Sequence, residues 1–92
     1  MIESFKHKGL ENFYNTGTKK GIQANHANRL QMQLGALDTA RCLDDCDLPG
    51  YNLHKLKGKR NTIWSISVNG NWRLTFEFKE NNIYILNYED YH

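Results

Sequence analysis

Two alternating runs, residues 62–68 and 72–78, are separated only by Asn69-Gly70-Asn71. Trp64, Ile66 and Val68 fall on one side of the first run, and Trp72, Leu74, Phe76 and Phe78 on one side of the second. A period of two sends successive side chains to opposite faces of an extended chain, so each run buries one face and leaves the other polar. The connection is short enough to demand a hairpin. Directly opposed residues of an antiparallel pair share a face, so loop length sets the register. A two-residue loop puts Ile66 opposite Arg73. Three loop residues, or an equivalent bulge, put Val68 opposite Trp72, Ile66 opposite Leu74 and Trp64 opposite Phe76, and this is the predicted pairing.

The rest of the chain is organised around that hairpin. Residues 2–5 read as a short strand. Residues 8–14 carry Leu10, Phe13 and Tyr14 at helical spacing, with a stop near Gly17. Beyond Gly21, Ala27, Leu30, Leu34 and Leu37 recur three and four apart and define a longer amphipathic helix. Pro49-Gly50 is a turn signal, after which residues 52–57 alternate loosely. A last strand follows Glu80-Asn81-Asn82. Strict alternation puts Ile83, Ile85, Asn87, Glu89 and Tyr91 on one face, and Tyr84, Leu86, Tyr88, Asp90 and His92 on the other. The expected architecture is a single α+β domain over residues 1–92, with two N-terminal helices packed on one face of a small, mainly antiparallel sheet. Its other face is left to bind.

A chain of 92 residues buries only roughly 60 to 65% of its unfolded surface, which suits one sheet with one helical layer. The 12% aromatic content and single Pro point to a packed globule rather than a disordered segment. No apolar stretch nears the roughly 20 residues of a membrane span, so no membrane partner is expected and the default compartment is the cytoplasm. Cys42 and Cys46 are expected as free thiols, and no nearby histidine or cysteine pair completes a metal set. No cofactor motif is present. Net charge is only +2, but its distribution is uneven: Asp44, Asp45 and Asp47 precede the Pro-Gly turn, and Lys55, Lys57, Lys59 and Arg60 follow it within six residues. Such a compact basic patch is either a solvated face or a seat for a phosphate backbone.

Cleaving RNA without a metal needs a base for the 2′-hydroxyl proton, an acid for the 5′-oxygen leaving group and cations for the phosphate. His54 and His92 can serve as acid and base, and Asp90 can orient an imidazole or act as a base itself. Lys57 and Arg73 are the best phosphate partners, although Arg73 could instead pair with Glu77 along its own face. Tyr91 has polar face neighbours, which suits stacking on an unpaired base. His7 and His26 read as structural or exposed, and Tyr84 and Tyr88 as sheet packing.

The segments Tyr51-Asn52-Leu53-His54-Lys55-Leu56-Lys57-Gly58, Trp64-Ser65-Ile66-Ser67-Val68-Asn69, Asn71-Trp72-Arg73-Leu74-Thr75-Phe76 and Asn87-Tyr88-Glu89-Asp90-Tyr91-His92 closely resemble the HigB toxins of the RelE/ParE superfamily, also called plasmid-maintenance system killer proteins. The likeness runs essentially end to end and is most specific in the second half. It implies a toxin that enters the ribosomal A site of the 70S ribosome and cleaves the mRNA presented there. It further implies a HigA-like helix-turn-helix antitoxin, through which alone the toxin reaches operator DNA. In that family the catalytic positions correspond to His54, Asp90, Tyr91 and His92, with basic residues such as Lys57 and Arg73 contacting RNA. A ParE-like inhibitor of DNA gyrase would share the fold without nuclease chemistry, and a non-catalytic RNA-binding module would need only the basic patch and Tyr91.

Overall fold

The computed structural model describes residues 1–91; His92, one of the expected catalytic residues, lies outside the described residues. Helix α1 spans Lys8–Thr16. His7 opens it, with Nδ1 accepting the Leu10 N–H at 2.9 Å, and so satisfies one of the amides that a helix start leaves without an intrahelical partner. Gly17 closes it at φ +80°, returning its N–H to the Phe13 carbonyl at 2.8 Å. A 3₁₀ turn over Ala24–His26 leads into α2, Ala27–Thr39, whose Leu30, Leu34 and Leu37 are buried as the spacing predicts. The first turn of α1 rests on the segment entering that turn, backbone against backbone. A Cβ on Gly9 would stand 2.5 Å from the Gly21 carbonyl oxygen, so neither glycine has room for a side chain.

After a second 3₁₀ turn at Leu43–Cys46 come β1 (His54–Lys55), a third 3₁₀ turn (Gly58–Arg60), β2 (Trp64–Asn69), β3 (Trp72–Lys79) and β4 (Asn82–Asp90). The four strands form one antiparallel sheet in the order β1-β2-β3-β4. Leu10, Leu30, Leu34 and Leu37 from the helices join Ile66, Leu74, Phe76, Ile83 and Leu86 in a single core on one face. Two of the expected strands are shorter than their sequence pattern. Residues 2–5 make only two isolated parallel bridges to β4, Ile2 with Ile83 and Phe5 with Leu86, which still cover its outer edge. Residues 52–57 contribute only the two residues of β1, because Asn52 turns the chain at φ +51°.

The central hairpin keeps most of its predicted register: Trp64 faces Phe76 and Ile66 faces Leu74. Its last pair differs. Asn69 rather than Val68 pairs with Trp72, because the extra residue is absorbed as a bulge between Ser67 and Asn69 and not as a longer loop. Val68 stays buried, and Gln33 of α2 donates to the Ser67 carbonyl at 2.7 Å, tying the bulge to the helix.

Strict alternation fails on β4. Thr75 pairs with Asn87 but Glu77 with Tyr84, so Ile85 and Leu86 share the place opposite Phe76. Ile85 takes φ +49°, a left-handed conformation that a β-branched residue rarely adopts. Ile83, Leu86 and Tyr88 are therefore buried together while Ile85 is exposed, and Ile83 and Ile85 do not share a face. Ser4 holds this bulge from the edge: its Oγ accepts the Ile85 N–H at 2.8 Å and its carbonyl accepts the Leu86 N–H at 3.1 Å.

Candidate active site on the outer face of the sheet

Register assigns each candidate residue to a face. His54 is opposite Ser65, Ser65 opposite Thr75, and Thr75 opposite Asn87; Arg73 is opposite both Ser67 and Glu89. Directly paired residues share a face, so His54, Arg73, Thr75, Asn87 and Glu89 all belong to the side away from the helices. Lys55 pairs with Trp64 and lies on the helix side, its Nζ 5.7 Å from the indole ring. Asp90 pairs with Trp72 and is likewise across the pleat from Arg73.

Three of the candidates nevertheless converge at one end of the sheet, around the Gly70-Asn71 turn. Arg73 donates from one guanidinium nitrogen to the Gly70 carbonyl at 2.7 Å and the Trp72 carbonyl at 3.0 Å. Tyr91 donates its amide to the Asn71 carbonyl at 2.7 Å, which fixes the chain immediately after Asp90, and its ring is exposed. The alternative pairing of Arg73 with Glu77 is not the one observed: Glu77 instead accepts from Thr62 at 3.1 Å and lies 3.7 Å from the Lys79 ammonium. His54 stands three strands from β4, roughly 14 Å across a flat sheet. The structure thus gathers Arg73, Asp90 and Tyr91, sets His54 apart on the Arg73 face, and leaves the exposed Lys57 and Lys59 on the loop after β1.

His54 donates its Nδ1–H to the Asn52 carbonyl at 2.9 Å, since a carbonyl can only accept. In the neutral ring the lone pair then sits on Nε2 of an exposed side chain.

The outer face is not bare. Arg60 reaches over it to grip both oxygens of Glu89, at 3.2 and 2.6 Å, and Thr75 Oγ1 donates to the same carboxylate at 2.5 Å. Burial would push the Glu89 carboxyl up, but the hydrogen bonds from Arg60 and Thr75 and the Arg60 charge together hold it below the usual carboxylate range. The sequence marks Arg60 only as one cation of the basic patch; its partner Glu89 lies 29 residues away, and no local pattern points to it. Behind the sheet, Tyr88 stacks on Trp72 at 4.5 Å and its hydroxyl meets buried His26 Nδ1 at 2.6 Å, so His26 is structural. Cys42 and Cys46 are free thiols, and burial pushes the Cys46 thiol up to about 11. Among the described residues no group of three or more His, Cys, Asp or Glu could hold a metal ion, and no helix is long and apolar enough to cross a membrane.

Residues 3–92 match the model of a family described as the HigB-like toxin, a RelE-like toxin of the type II toxin-antitoxin system HigB. This chain belongs to the HigB-like toxin family. Endoribonuclease HigB of Proteus vulgaris is 48% identical to it over 92 residues, covering all of both chains. A crystal structure of a YafQ mutant from E. coli superposes with a TM-score of 0.58, covering 96% of this chain and 89% of that one; at 16% identity this shows a shared fold. A HigB-like toxin of a type II system has an antitoxin as its partner.

Proposed function

We propose that this HigB-like toxin is a ribosome-dependent endoribonuclease that cuts mRNA in the ribosomal A site by acid–base transesterification and so stops translation. The observation that carries the reading is the convergence of Arg73, Asp90 and Tyr91 on one turn, beside a sheet face from which His54 offers an open Nε2. The name and full-length similarity of the Proteus vulgaris relative support it. In the reaction a base takes the 2′-hydroxyl proton, the 2′-oxygen attacks phosphorus, the bond to the 5′-oxygen breaks, and an acid returns a proton to that oxygen. His54 and His92 are assigned to proton transfer, and Asp90 to orienting an imidazole or to the base role. Lys57, Lys59, Arg60 and Arg73 offset the phosphate charge, and Tyr91 stacks on a base, whereas Lys55 lies over Trp64 on the other side of the sheet.

The openness of this small sheet gives a reason for the ribosome. Orientation can supply roughly 7 to 11 kcal/mol of a barrier, and a site spread over a small open sheet gains it from a substrate held by something else. The partner is a HigA-like helix-turn-helix antitoxin, which also carries any operator binding, and the compartment is the cytoplasm. The test is to incubate the protein with naked mRNA and with the same mRNA on programmed ribosomes. Cuts confined to the ribosomal sample, and absent with His92→Gln, are expected; growth arrest surviving that substitution would instead favour a gyrase-directed or purely binding toxin.

A further inference from the structure

We infer that Glu89 is a positioning residue for the nuclease site: it clamps Arg60, and with it the cationic segment 57–60, over the sheet onto the strand that ends at Asp90, just before Tyr91. The inference rests on the nuclease reading and adds to it a role for a side chain that the chemistry does not require.

Four observations converge on it. The contact is bidentate, with two guanidinium nitrogens on two carboxylate oxygens, the geometry that fixes orientation as well as distance. It joins residues 29 apart in sequence, the 3₁₀ turn that follows the His54 strand and the far edge strand, so it bridges the elements bearing the two halves of the proposed site. The carboxylate is itself held from beneath by Thr75, which is 2% exposed, and therefore cannot follow a wandering arginine. Finally, the Arg60 side chain remains 44% exposed, against 21% for Glu89. Burial does not force this arginine to find a partner. A guanidinium carries five N–H donors and Glu89 takes two, leaving a fixed edge for a phosphate.

The surroundings fit such an edge. A cavity of about 200 Å³ opens beside the pair, lined by Thr75 and Asn87, with Lys6 bringing a second cation to it. The exposed arginine has little to gain for folding from the contact, so the anchored carboxylate beneath it, whatever it adds to stability, also fixes where the arginine stands.

The test is steady-state cleavage of mRNA on programmed ribosomes by wild type, Glu89→Gln, Arg60→Lys, Arg60→Ala and the Glu89→Gln/Arg60→Ala double variant, with thermal melting of each. Loss of one oriented charge-assisted contact predicts a KM raised roughly 5- to 10-fold in Glu89→Gln, with kcat within about twofold of wild type. Arg60→Lys, which keeps the charge but loses the fork, should show the same rise. In the Arg60→Ala background, Glu89→Gln should add nothing, because Glu89 acts through Arg60. An unchanged KM in Glu89→Gln, a Glu89 effect that persists without Arg60, or wild-type behaviour of Arg60→Lys would each overturn the clamp. Wild-type protein that leaves ribosome-bound mRNA intact would overturn the nuclease reading and the clamp with it.

Discussion

The Asn52 carbonyl decides where His54 keeps its proton, and that decision costs the fold almost nothing because the ring is exposed. His54→Gln is therefore expected to lower cleavage by about 10² to 10⁴, the ordinary worth of a general acid or base, while leaving the melting temperature near wild type. A matching loss of stability would show the ring to be structural. Tyr88 is the opposite case. Its hydroxyl accepts the Gln23 N–H at 3.4 Å and meets His26 Nδ1 at 2.6 Å inside the core. Tyr88→Phe keeps the stack on Trp72 but strands a buried imidazole, and urea unfolding should report a loss of about 1 to 3 kcal/mol. At this scale the sequence was legible where chemistry is local. Tyr88 reads correctly as a packing residue, whereas the burial of His26 depends on a partner 62 positions away that no pattern announces.

Elements were legible as far as their periodicity held. Both helices, the turn at Pro49-Gly50 and the central hairpin follow from spacing alone, and apolar matching predicted two of the hairpin pairs correctly. The hairpin bulge was one of the two outcomes the matching allowed, but the bulge on β4 was not foreseen, because one inserted residue leaves composition untouched and reverses every face beyond it. Counting from Ile83 put Ile85 on its side, yet the backbone at Ile85 turns left-handed and Ser4 accepts the amide that the ladder gives up. Asn tolerates that conformation far better than a β-branched residue does. Ile85→Asn is accordingly expected to stabilise the protein by roughly 0.5 to 1 kcal/mol in spite of asparagine's poor strand preference. Ser4→Ala should cost about 1 kcal/mol. Denaturant titration of the two variants checks both signs, and a destabilised Ile85→Asn would mean that the exposed Ile85 side chain matters more than its backbone.

Over the whole molecule, helices on one face and a polar sheet surface on the other were readable from the order of patterns, but the cover that Arg60 and Glu89 place on that surface was not, since it joins distant segments through side chains alone. The same long-range construction governs how the fold responds to acid. Burial depresses the His7 pKa below its ordinary 6.5, against an opposing contribution from its own backbone, and its Nδ1 must stay unprotonated to cap α1. Between the folded and unfolded values the unfolded chain binds more protons, so stability is complete above pH 6.5 and declines as pH falls through the depressed value. A second decline begins below 4.5, where Glu89 takes up a proton in the unfolded chain while the folded carboxylate, held low, does not, and it runs on as pH falls through the depressed value. Asp45, held low by the Arg41 amide, contributes to the same lower step. Melting curves from pH 8 to pH 3 should therefore fall in two stages. His7→Asn keeps a good N-cap and removes the titration, so it should abolish the upper stage while leaving the melting temperature at pH 8 nearly unchanged. Glu89→Gln should shrink the lower stage without touching the upper one. An upper stage that persists in His7→Asn would place the responsible group elsewhere and leave the cap with no part in the response to acid.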